Sequence, residues 1–169
     1  MNIYLFVLRL VHIVAGIIWG GGAIVMEFFI GRTIRGTGET GQKFAQYLMN
    51  TAQMHKFMSA MAGSTILAGA LLYWHDSNGF TSAWWKSGTG TGFGIGAVFG
   101  LVAFIFGVIF GVTNAKLAQV GAQIQVKPTD EQLVQIQALQ KRIKTVSPIH
   151  VACMILAMIF MATARYFVF

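Results

Sequence analysis

The chain has 169 residues, 56% of them hydrophobic and only 10% charged, where a soluble domain carries roughly 25% charged residues. That balance excludes a water-covered surface over most of the molecule and points to an all-α integral membrane protein. The net charge of +7 accompanies no nucleic-acid-binding motif, so the surplus Lys and Arg read as a positive-inside bias and as contact with anionic lipid, with no nucleic acid as partner.

A bilayer-crossing helix needs about 20 mostly apolar residues. Four stretches qualify, at 3–30, 55–74, 93–116 and 148–168, which predicts one four-span bundle over residues 1–169. The first span follows no signal-peptide pattern, so it is expected to remain in the mature protein. It contains "RLVHIVAGIIWGGG" and therefore an imidazole, His12, among aliphatic residues. A polar group in hydrocarbon is costly and marks a functional-site candidate. At 100° per residue the His12 face runs through Gly16, Trp19, Ala23, Met26 and Glu27. Glu27, near the inner end, is a candidate proton carrier or quinone contact. The depth of His12 stays open. It is about 15 Å counted from Asn2, yet His12 lies about 30 Å above the inner edge counted from Arg32.

The first link, 31–56, holds Arg32, Arg35, Lys43 and Lys56 against Glu39. The second, 75–92, holds only Lys86 and Asp76. Its glycine-rich "SGTGTGFGIG" at 87–96 lacks the Gly-Lys-Ser/Thr of a phosphate loop and reads as a loop running into a close-packed helix. The third link, 116–147, holds Lys116, Lys127, Lys141, Arg142 and Lys144 against Asp130 and Glu131. Nine of twelve basic residues thus lie on the side shared by the first and third links. That side is expected to be cytoplasmic in a bacterial inner membrane, with both termini outside. Tyr4, Tyr73, Trp74, Trp84, Trp85 and Tyr166 then fall at the outer interface, where amphipathic rings prefer to sit.

Within the third link, Thr129 and Gln132 make a capping-box pattern, and Leu133, Ile136, Leu139 and Ile143 recur at helical spacing. This predicts a short amphipathic helix on the inner face or against a partner. "SP" at 147–148 then opens the fourth span, Ser147 as cap and Pro148 in the first turn. Gly16 with Gly20, Gly96 with Gly100, and Gly107 with Gly111 are small-xxx-small pairs that let membrane helices approach closely. Cys153, the one cysteine, reads as a buried structural thiol.

Axial ligands of one haem must lie at nearly one depth. His55 precedes Trp74 by 19 residues and His150 precedes Tyr166 by 16, which puts them about 28 Å and 24 Å below the outer interface. Small residues Ser59, Ala62, Gly69 and Ala70 line the stripe above His55, with Ile66 among them, and Met154, Ala157, Met158 and Met161 line that above His150. The expectation is haem b between His55 and His150, with His12 as a further metal ligand. Lys56, Arg32, Arg35 and Lys144 are placed to meet the propionates. His75, at the outer interface, offers a second site beside His12, so one haem is expected and a second is allowed. Structural histidines bonding across helices are the alternative. Copper or zinc would need about four gathered ligands, and His55, His150 and Met154 only begin such a set.

The first span also resembles the opening helix of a superfamily of small membrane proteins. It includes CopD-type copper-resistance proteins and HemJ-type protoporphyrinogen oxidases, which share a leucine-histidine start followed by tryptophan and glycines. Here those are His12, Trp19, Gly20 and Gly21, and the likeness covers some 25 residues. It implies His12 as a haem ligand. The Pro-Arg pair of HemJ-type proteins is replaced by "MEFFIGRTI", and no lysine lies in the membrane part of span three. The expected function is transmembrane electron transfer on haem b. The chain would be a cytochrome b-like subunit of a larger membrane complex, or linked to quinone, with no catalytic residue of its own. A HemJ-like oxidase and a haem-free scaffold or copper-handling protein are the alternatives.

Overall fold

A computed structural model describes residues 2–124 and 127–169. Among them there is no strand, and four helices are long and apolar enough to cross a membrane. The first rises through α1 (Ile3–Val25), a π-helical turn (Met26–Ile30) and α2 (Gly31–Gly36) as one rod. After Gly38, whose φ of 57° only glycine adopts freely, α3 (Gly38–Gln46) doubles back, followed by a second π turn, Tyr47–Thr51. Gln53 at φ 50° then reverses the chain into α4 (Met54–Asp76). A 3-10 turn, Ala83–Lys86, leads into α5 (Gly88–Ala122), and α6 (Asp130–Thr163) ends in a further 3-10 turn, Ala164–Tyr166.

The long helices pack as two antiparallel pairs. α5 lies along α6, and α1 lies along α4; α1 with α6 and α4 with α5 make the smaller contacts between them. Side-chain contacts fix the register. Gly16 faces Thr65 and Gly22 faces Met58 in one pair, while Gly96 faces Phe160 and Met161 in the other. Trp19, Ala62, Ala103 and Met154, one from each long helix, meet in the centre. Outward faces are apolar instead. Ile17, Leu67, Val98, Ile105 and Ile159 are all exposed, as expected of surface that meets hydrocarbon rather than water.

Two expectations from the sequence are corrected. The amphipathic segment is not a separate helix on the inner face. The Thr129 cap and its Gln132 partner form as expected, but they open α6 itself, which runs unbroken through Thr163. Ser147 is therefore a buried mid-helix residue rather than a cap, and Pro148 sits inside the helix. The apolar stripe has a use that explains this. Ile136, Leu139 and Ile143 are half-buried at the level where α5 offers Leu117 and buried Val120, so the two helices continue as a hairpin. At 1.5 Å per residue α5 and α6 are each about 50 Å long, against roughly 30 Å of hydrocarbon. The glycine-rich segment is likewise helix, not loop. Ser87 caps α5 by accepting from Gly90 N at 3.2 Å, and Gly88 and Gly92 admit Phe167 at van der Waals range.

Candidate functional site

The two imidazoles inside the helix pairs are held in the same way. His150, on α6 and 7% exposed, has Nδ1 2.7 Å from the main-chain oxygen of Ala103 on α5. Its ring lies over Gly107, one turn further along α5. A Cβ built there would stand 2.9 Å from His150 Cε1. His12, on α1, has Nδ1 2.8 Å from the main-chain oxygen of Thr65 on α4. Its ring lies over Gly69, again one turn further along, where a Cβ would stand 2.7 Å from Cε1.

A carbonyl oxygen only accepts, so Nδ1 donates in both rings, and the neutral imidazole then keeps its lone pair on Nε2. Metal-ligating histidines are oriented by this same bond from the second nitrogen to a carbonyl or carboxylate. The acceptor carbonyls are available because Thr65 and Ala103 lie where a glycine four residues on brings the imidazole close to the helix backbone. Thr65 also directs its hydroxyl away, to Met61 O at 2.8 Å. Trp19 closes the His150 side: its ring centroid is 6.4 Å from that of His150 and 6.2 Å from Phe104.

Below this level Ser147 donates a short hydrogen bond to Glu27. Glu27 belongs to the π turn of α1, an irregularity common at functional sites. Ser147 and His150 are three residues apart on α6 and share a face.

His55 does not join this group. It opens α4 just after the left-handed Gln53, is exposed, and turns Nδ1 to Met49 O at 3.0 Å on its own segment. α6 packs on α5 and α1, which leaves α4 diagonal to it, so the structure brings His150 to Ala103 and Trp19 rather than to His55. His75 is exposed beside Asp76, with Nδ1 3.4 Å from Oδ1. Asp76 also reaches Arg9 at 3.8 Å, tying the C-terminal end of α4 to the N-terminal half of α1. Arg32 lies over the Phe28 ring at 5.8 Å. Arg32, Arg35, Lys56 and Lys144 are all exposed, and among the described residues none meets a carboxylate. Nor do any three His, Cys, Asp or Glu gather as a metal-binding cluster among those residues.

Reading the sequence overlooked Gly69 and Gly107 as the seats of the imidazoles, and Ser147 as the partner of Glu27. A small residue one turn beyond the acceptor is a usable signal only once the helix pairing is known. No protein-family model matches this chain, and neither does any curated protein or solved structure.

Proposed function

We propose that this chain is a four-helix membrane-spanning bundle, termini outside and basic links cytoplasmic, that binds haem b and serves transmembrane electron transfer. It would do so as a subunit of a larger redox complex or in exchange with quinone. The observation that carries the reading is the anchoring of His150. Its Nδ1 is fixed on Ala103 O at 2.7 Å, so Nε2 is the nitrogen left to ligate. Among the described residues no three His, Cys, Asp or Glu gather, which disfavours bare copper or zinc, since either would need about four ligands; a haem would be held by His150 and His12.

His150 is the ligand best supported by geometry, and His12 the second, in keeping with the resemblance of the first span to HemJ-type proteins. The exposed His55 leaves the ligand set. Haem supplies one-electron redox chemistry when bound; the chain sets ligation, burial and access. Arg32, Arg35, Lys56 and Lys144, without carboxylate partners among the described residues, are the cations suited to propionates at the inner end. Glu27, held by Ser147, is suited to hydrogen-bond a quinone at that end.

The test is the visible spectrum of the detergent-purified chain, oxidised and then reduced with dithionite. A sharp band of reduced haem b is expected. A featureless spectrum, or copper or zinc by metal analysis, would overturn the reading.

A further inference from the structure

We infer that the chain holds one phospholipid with an anionic headgroup in a groove between α4 and α5, in the leaflet on the side of the link that joins them. This rests on the membrane-spanning character of the helices and does not require haem.

α5 has two distinct faces over its first turns. Gly92 and Gly96 turn toward α6 and the turn that follows it, where a Cβ would meet Phe167 and Phe160. Thr91, Ile95, Val98 and Phe99 recur at helical spacing on another face. α4 packs on α5 through one of the smaller contacts of the bundle. Near its end Tyr73 donates its hydroxyl to Gly90 O at 3.1 Å and crosses Gly94, where a Cβ would stand 3.1 Å from the phenolic oxygen. Beside that crossing the helices leave a groove of about 540 Å³, lined by Tyr73, Trp85, Thr91, Ile95, Val98 and Phe99. Its size and mostly apolar lining are usual for a small-molecule site. Ile95 and Val98 are exposed, so the groove opens toward hydrocarbon.

The chemistry changes along the groove. At its mouth, just before α5, the Lys86 ammonium lies 5.2 Å from the centre of the Trp85 ring. Among the described residues it meets no carboxylate, since Asp76, the one carboxylate of that link, is engaged by Arg9 and His75. Thr91 follows in the first turn of α5. Thr65, Thr113 and Thr163 each return their hydroxyl to the carbonyl four residues back, whereas that of Thr91 makes no such bond among the described residues. Ile95 and Val98, one and two turns deeper, offer only apolar surface. A cation, then a free hydroxyl donor, then an apolar channel is the order in which a phospholipid presents phosphate, ester and acyl chain from the interface inward. One cation without a counter-charge favours a headgroup of net negative charge, by about fivefold for a single Lys near the surface.

The experiment is native mass spectrometry of the full chain, delipidated by detergent exchange and given equal amounts of phosphatidylglycerol and phosphatidylcholine with the same acyl chains. Val98→Trp fills the groove and should carry one phospholipid fewer than wild type. Leu67→Trp, on the exposed face of α4 outside the groove, should carry the wild-type number. Lys86→Gln should keep that number, while the ratio of phosphatidylglycerol to phosphatidylcholine in the adduct that Val98→Trp removes falls about fivefold. Equal lipid numbers in wild type and Val98→Trp, with circular dichroism showing intact helices, would overturn the site. An unchanged ratio in Lys86→Gln would overturn the headgroup contact, and this surface variant decides alone if Val98→Trp does not fold. An isoprenoid quinone in place of phospholipid in the chain as purified would overturn the occupant.

Discussion

Two glycines one turn apart on α5 should respond to the same substitution with opposite signs. Alanine stabilises a helix by about 1 kcal/mol over glycine. At Gly111 a Cβ would meet nothing within 4 Å, so Gly111→Ala should realise most of that gain. At Gly107 the Cβ would stand 2.9 Å from His150 Cε1 and 3.3 Å from Nδ1. Ordinary contact begins near 3.4 Å, so the imidazole must retreat by about half an ångström. Overpacking of this kind costs about 1–3 kcal/mol. The retreat also strains the 2.7 Å bond to Ala103 O. Hydrogen bonds between membrane helices average about 0.6 kcal/mol and reach about 1.7. The steric and hydrogen-bond losses together exceed the propensity gain, so Gly107→Ala should fall below Gly111→Ala by roughly 1–3 kcal/mol. The assay is reversible unfolding in mixed detergent micelles, followed by circular dichroism. Equal midpoints for the two variants would refute the seat of His150 on Gly107.

Other expectations follow from the same contacts. His55→Ala should keep full haem content and near-wild-type stability, since the ring is exposed and bonds only its own segment; haem loss in that variant would return His55 to the ligand set. Ser147→Ala removes the donor to Glu27 and should lower stability by about 1 kcal/mol, readable as a lower unfolding midpoint; an unchanged midpoint would mean the link carries nothing. Thr129→Ala breaks the capping box and should weaken the start of α6 by about 1 kcal/mol, seen as faster proteolytic cleavage in the first turns of α6. The proposed orientation predicts that Asn78→Cys, in a Cys153→Ser background, reacts with a membrane-impermeant thiol reagent on intact cells and that Gln46→Cys does not. Reaction of the second alone would invert the topology.

The four long apolar helices were legible in the sequence because hydropathy over a 20-residue window does not depend on neighbours. Their ends were less so. Pro148 and Ser147 look like a helix start in isolation, but α6 runs unbroken through them from Asp130 to Thr163, packed along α5. The glycines at 88–92 look like a loop until the close approach of Phe167 to Gly88 and Gly92, and of Trp84 to Gly90, shows why side chains are absent there. Depth along a helix follows from residue counting, whereas facing does not. His55 stands close in level to His150, as the Gly22–Met58 and Glu27–Ser147 contacts indicate, but the left-handed Gln53 and the diagonal position of α4 aim it elsewhere. His12 drew attention as an imidazole among aliphatic residues. Its partner, a main-chain oxygen 53 residues away, has no sequence signature at all.

The central claim is that His150 ligates through Nε2, and chemical rescue tests it most directly. In His150→Gly, purified as the wild type is, the account predicts loss of the proposed haem and its recovery when imidazole is added during reconstitution with haemin, with a spectrum matching wild type. Full haem in His150→Gly without imidazole, or loss that imidazole does not restore while circular dichroism shows the helices intact, would contradict it.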